Sequence, residues 1–70
     1  MIDWQLVCLL LQNKYKPLGA VAKEVGCNWQ HINRLARGDV QQPRFNTGVA
    51  LLDLAYDVLP EKDFMRCKFA

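Results

Sequence analysis

Apolar residues along this chain recur three and four positions apart, the spacing of one side of a helix, and seldom alternate with polar ones as in a strand. In the opening segment, at about 100° of turn per residue, Trp4, Val7, Cys8 and Leu11 gather on one side and Ile2, Leu6, Leu9 and Leu10 on the other. A second segment sets Val21 and Val25 around the small Ala22, and a third sets Ile32 and Leu35 among polar neighbours. A fourth runs from the Asn46-Thr47 region to about Asp57. The β-branched residues are scattered and do not alternate, so almost no sheet is expected.

Local chemistry marks where these helices start and stop. Asp3 suits the N-cap of a helix reaching about Lys14. Pro17 suits the first position of a second helix, whose body is Leu18 to Val25, and Gly26 suits a left-handed C-terminal cap. Asn28 then suits the N-cap of a third helix, Trp29 to Arg37, which stops at Gly38. Residues 39–46, DVQQPRFN, read as a loop around Pro43, with Asn46 or Thr47 capping the fourth helix. Pro60 closes that segment by pushing Leu59 out of the helical region. The fold class expected is all-α: a small bundle of four to five short helices in one domain spanning residues 1–70.

A chain of 70 residues buries only about 60% of its unfolded surface, so its stability margin is small. Half of it is hydrophobic, enough for a core and too much for a disordered chain. No apolar run approaches the roughly 20 residues that cross a bilayer, and Leu6 to Leu11 lacks the basic leader of a signal peptide. Cys8, Cys27 and Cys67 are odd in number and form no CxxC pair, which points to reduced thiols and a cytoplasmic location. The overall charge of +2 is less informative than its distribution. Residues 13–44 carry Lys14, Lys16, Lys23, Arg34, Arg37 and Arg44 against Glu24 and Asp39. Residues 45–63 carry Asp53, Asp57, Glu61 and Asp63 against Lys62. A basic centre beside an acidic later segment points one face at a polyanion.

The basic stretch contains the most specific pattern in the chain. Two short helices are joined by Gly26-Cys27-Asn28, too short a turn for antiparallel packing, so they cross steeply as in a helix-turn-helix. Val21, Val25, Ile32 and Leu35 supply the inner anchors, Ala22 the close approach, and Trp29, Gln30, Asn33, Arg34 and Arg37 an outer face. The run Leu18 to Gly38, with Ala22, Gly26, Ile32, Leu35 and the closing ARG, resembles the helix-turn-helix of the phage Cro/repressor (XRE) family. The flanks DWQLVCLLLQ and QQPRFNTGVALLDLA resemble the first and fourth helices of its small prophage members, extending the likeness over about residues 2–57. Two positions depart from the family pattern. Leu18 stands where many relatives carry a glutamine that touches phosphate, and Trp29 where a small residue is common.

The resemblance implies a lambda-repressor-like bundle whose third helix enters the major groove of double-stranded DNA. Within it Gln30 pairs with adenine, Asn33 reads a neighbouring base or holds a phosphate, and Arg34 is a candidate guanine reader. Trp29 either touches a thymine methyl or sugar-phosphate edge or folds back onto the domain. Lys16, Asn28, Arg37, Gln41 and Arg44 are the phosphate-binding candidates, joined by Gln42 in the same loop. The function implied is a sequence-specific transcriptional regulator, a repressor by preference, acting at an operator. A homodimer reading half-sites about 34 Å apart is expected, because one small motif makes few contacts.

Residues 60–70, PEKDFMRCKFA, carry helix signals at Pro60, Glu61 and Asp63 and a strand-like alternation of Met65, Cys67 and Phe69 with Arg66 and Lys68. A short helix followed by an extended end is favoured, with Phe64 and Phe69 buried in the monomer or against a partner; the alternative is a short C-terminal strand, which in relatives of the Cro type pairs across a two-fold axis and makes residues 60–70 a dimerisation tail. The second apolar face of the first helix is expected to pack under this tail. The rival function is a protein-interaction module of antitoxin or antirepressor type using that face instead, and RNA binding is a weaker third reading. The chain has no serine, one threonine and one histidine, so a Ser-His-acid site is impossible and no enzyme is expected. Cys27 and His31 are four apart, but Cys27 lies in the turn and no other ligand pair is visible, so neither metal nor cofactor is expected. Cys27 is read as a small packing group and His31 as a residue at the edge of the helix interface.

Overall fold

A computed structural model describes residues 2–68. Five helices follow one another: α1 (Trp4–Lys14), α2 (Leu18–Val25), α3 (Trp29–Arg37), α4 (Phe45–Val58) and α5 (Glu61–Lys68). No strand occurs among the described residues. The expected all-α bundle is therefore what the chain forms.

The helix ends follow from local chemistry. The Asp3 carboxylate accepts a hydrogen bond from the Leu6 N–H at 3.0 Å, satisfying one of the free donors at the start of α1. Gly26 and Gly38 both adopt left-handed backbone, at φ 71° and 81°, and end α2 and α3. Leu59 is extended (φ −93°, ψ 147°) as the proline after it requires, and α4 stops there.

Two starts differ from expectation. Pro17 is not the first helical residue of α2 but its N-cap, with ψ 152° and no side-chain hydrogen bond to offer. Helix α4 begins earlier than an Asn46 or Thr47 cap allows. Arg44 is its N-cap, and Asn46 and Thr47 lie inside the first turn. Thr47 is buried there, so packing against the bundle overrides its preference for a capping position.

Helix α1 is the hub and packs against each of the other four. Its Val7, Cys8 and Leu11 are sealed from solvent, facing Val21 and Ala22 of α2, Ile32 and Leu35 of α3, and Leu51 and Ala55 of α4. Trp4 joins this core only in part. It is half-buried, with its ring edge 3.2 Å from where a Cβ on Gly48 would stand. A side chain at Gly48 would make that ring or Pro43 give way by a few tenths of an ångström, so the indole of α1 packs directly on the backbone of α4.

The tail resolves in favour of the helix. Asp63 and Cys67, four apart, are both buried, whereas a strand would place Met65, Cys67 and Phe69 on one side. The Asp3 N–H donates to the Cys67 carbonyl at 2.8 Å, and Asp63 is paired with Lys14 of α1 and, at 3.6 Å, with Arg66. Phe64 is half-buried and meets Tyr56 edge to face at 5.5 Å. Phe69 and the extended ending expected after the helix lie outside the described residues. With α5 in place, the second face of α1 is covered. Leu10 is buried, Ile2 and Leu6 are half-buried, and only Leu9 remains exposed.

Candidate nucleic-acid interface

The turn between α2 and α3 is held from both sides. The Gly26 N–H donates to the carbonyls of Ala22 and Lys23, and the Cys27 N–H donates back to Ala22 at 3.0 Å, satisfying the last carbonyls of α2. Cys27 lies half-buried, its thiol 3.6 Å from the Asn28 carbonyl. Burial pushes that thiol upward in pKa, and a hydrogen bond with Thr47 partly opposes the rise. Cys8, deeper in the core, is pushed up to about 12, chiefly by burial, and stays a neutral thiol. Asn28 starts α3, its side-chain oxygen accepting the Gln30 N–H at 2.7 Å.

Helix α3 divides sharply around its circumference. Ile32, Leu35 and Ala36 are buried, while Trp29, Gln30, Arg34 and Arg37 are exposed and Asn33 is half-buried. Trp29 is 51% exposed. Its indole Cδ1 lies 3.7 Å from the Cβ position of Gly19, so the ring leans on the first turn of α2 while one face stays open. The Arg37 guanidinium sits 3.5 Å from Asp39, a loose pair on the surface that contributes little to stability. Arg34 has no ion-pair partner among the described residues.

The candidates fall into three groups in space. Gln30 and Arg34 border a polar depression with Asn28 of the turn and with Arg44, Phe45 and Asn46 at the start of α4. Arg44 is exposed and without an ion-pair partner among the described residues, so two unpaired guanidinium groups from different helices flank the same surface. Gln41 and Gln42 are exposed but line the neighbouring groove, beside Trp4, Val40 and Pro43, which Arg44 also borders. Lys16 stands apart and is already engaged. Its ammonium is 2.9 Å from Glu24, and Tyr15 donates its hydroxyl to the same carboxylate at 2.8 Å. The bond to Glu24 raises the Lys16 pKa, and the bonds from Lys16 and then Tyr15 lower that of Glu24. A phosphate would have to compete with that carboxylate for Lys16.

His31 borders the depression too, half-buried, with its Nε2 enclosed and without a hydrogen-bond partner in the protein. The described residues include no group of three or more metal-ligating side chains. Two features of this surface were not anticipated from the sequence. The Tyr15–Lys16–Glu24 cluster joins residues of a loop and a helix whose proximity only the fold creates. Phe45, read as part of the loop of residues 39–46, instead opens α4 at the rim between depression and groove and is 82% exposed.

In chemical terms, the α3 face offers an amide and guanidinium groups about one turn apart on a rigid, well-capped helix. Such groups suit hydrogen bonding to base edges and phosphate oxygens. Compared with known proteins, the chain matches no family model, no curated protein and no solved structure.

Proposed function

We propose that the protein is a sequence-specific, double-stranded DNA-binding transcriptional regulator of phage or prophage type, a repressor by preference, that places α3 in the major groove of an operator. The observation that carries this reading is the division of α3. Three apolar residues anchor it inside, and its outer face carries Gln30, Arg34 and Arg37, all exposed, behind a tight glycine turn. Gln30 is the adenine reader, Arg34 a guanine reader, and Asn33, half-buried, a shorter-range contact one turn along. Arg37 and Arg44 hold phosphates, with Asn28, Gln41 and Gln42 at the margins; Lys16 contributes only if released from Glu24. Trp29, its inner edge on Gly19, is left with one face for a thymine methyl or sugar edge. The working form on DNA is a homodimer spanning two half-sites, in the reducing cytoplasm where the thiols stay free. The protein-interaction reading loses support because the α1 face it needs is covered except at Leu9.

Selection from a random duplex pool supplies the operator, and gel-shift titrations at two salt concentrations test the roles. Gln30→Ala and Asn33→Ala are expected to lose about 1–3 kcal/mol of discrimination between operator and mismatched duplex. Arg37→Ala is expected to weaken binding to all duplexes and to flatten the salt slope by about one unit. Unchanged affinity and slope in all three variants would remove the assigned face.

A further inference from the structure

The loop between α1 and α2 holds two donors in a fixed arrangement. The Tyr15 and Lys16 N–H groups both donate to the Leu11 carbonyl, at 2.9 and 3.1 Å, and Leu11 is sealed in the core. Pro17 follows at φ −54°, so the two residues leave the bundle on a short anchored stretch. Tyr15 is half-buried, Lys16 is exposed, and the ammonium stands 5.0 Å from the centre of the tyrosine ring. The ammonium and the phenolic hydroxyl then converge on one oxygen, Oε1 of Glu24, at 2.9 and 2.8 Å. Lys16 lies three residues before Gly19, on which Trp29 leans, so the stretch adjoins the edge of the α3 face. Two charge-assisted donors meeting on a single anionic oxygen are also what a phosphate oxygen receives from a DNA-binding protein.

We infer that Tyr15 and Lys16 form a site for a backbone phosphate of duplex DNA, and that the Glu24 carboxylate is its built-in competitor, seated where the phosphate oxygen would go. Carboxylate and phosphodiester each carry one negative charge, so the exchange leaves the ammonium neutralised either way. Both members of the ion pair are open to solvent, and a pair of this kind is weakly held and free to exchange. While Glu24 is seated, Lys16 neutralises no phosphate and releases no counterion, so its share of the salt-dependent affinity is withheld. Tyr15 holds the competitor in place through its hydroxyl. The contact reads no base, so it lowers affinity for every duplex alike and leaves the choice among sequences to α3. The inference rests on the DNA-binding reading and deepens it, giving Tyr15 and Glu24 a part in setting how tightly the backbone is gripped. One arm of its test is free of DNA, so that the two fail in different ways.

The DNA-free arm follows the Lys16 ammonium and the Glu24 carboxylate by NMR titration of the full chain. The hydrogen bond to Glu24 raises the Lys16 pKa, so Glu24→Gln is expected to lower it. Tyr15→Phe is expected to raise the pKa of Glu24, because the lost hydroxyl helps to hold it down. A lysine that titrates alike in the native chain and in Glu24→Gln would overturn the inference and leave DNA binding untouched. The second arm measures fluorescence anisotropy of labelled duplexes, a selected operator and a scrambled sequence, across a salt series. Glu24→Gln is expected to tighten both by about three- to tenfold at low salt and to steepen the salt slope by about one unit. Lys16→Gln is expected to lose at least about threefold more affinity in the Glu24→Gln background than in the native one. Asp53→Asn removes an equal charge from the exposed side of α4 and is expected to do less than Glu24→Gln. An equal effect of Asp53→Asn, no gain in Glu24→Gln, or no coupling to Lys16 would each overturn the inference while duplex binding stands. Native and Glu24→Gln chains that both ignore every duplex would overturn the DNA-binding reading and this inference with it.

Discussion

Helices α3 and α4 begin in opposite ways. At the head of α3, Asn28 takes up a free backbone donor and carries no charge. At the head of α4, Arg44 occupies the same structural position with no side-chain hydrogen bond to the helix. Its cation sits at the positive end of the helix dipole, a placement that costs about 0.3–1 kcal/mol where an aspartate would gain as much. Neither helix has an acidic residue in its first turn to compensate. One start is thus capped for folding, and the other sets an uncapped guanidinium group at the rim of the surface that Gln30 and Arg34 also border. On the proposed DNA-binding reading, the contrast makes Arg44 a residue that serves the duplex rather than the fold.

The largest perturbation strikes the core beneath the bundle. Leu35 is fully buried, and Leu35→Ala is expected to cost about 2–5 kcal/mol, seen as a large drop in Tm. Gly26→Val breaks the first start selectively. A β-branched residue at φ 71° is strained by about 1–3 kcal/mol, so stability and DNA affinity should fall together as α3 loses its seat. Asn28→Ala should cost about 1 kcal/mol in denaturant titration, the value of a side-chain cap. The same replacement logic applied to α4 should reverse sign. Arg44→Asp is expected to raise stability by about 0.5–1 kcal/mol while weakening DNA binding. A loss of stability in that variant would show that Arg44 supports the fold after all.

What could be read in advance was what depends on residues close in sequence. Asp3, Gly26, Asn28, Gly38 and Pro60 each bound a helix through chemistry confined to a few neighbours, and each lies where that chemistry requires. The start of α4 escaped because its signal is absent: no capping side chain marks Arg44, and the capping types nearby, Asn46 and Thr47, were drawn into the helix. The tail was ambiguous because Met65, Cys67 and Phe69 alternate while Asp63 and Cys67 follow the helical period. Contact with α1, through Lys14 and the Asp3 amide, favours the second. On the candidate interface, the outward set on α3 was legible because Ile32 and Leu35 orient the helix. The capture of Lys16 by Glu24 and the exposure of Phe45 were not, since both depend on which elements become neighbours in space.

The indole resting on Gly19 has a practical consequence. Trp29 bridges the first turns of α2 and α3 and shows its other face to solvent, whereas Trp4 is held against Gly48 and Pro43. The chain therefore carries its own optical gauge: with Trp4 replaced by Phe, the emission colour and quenching of the remaining fluorophore would report on the packing of these two helices during unfolding or binding, with no added label.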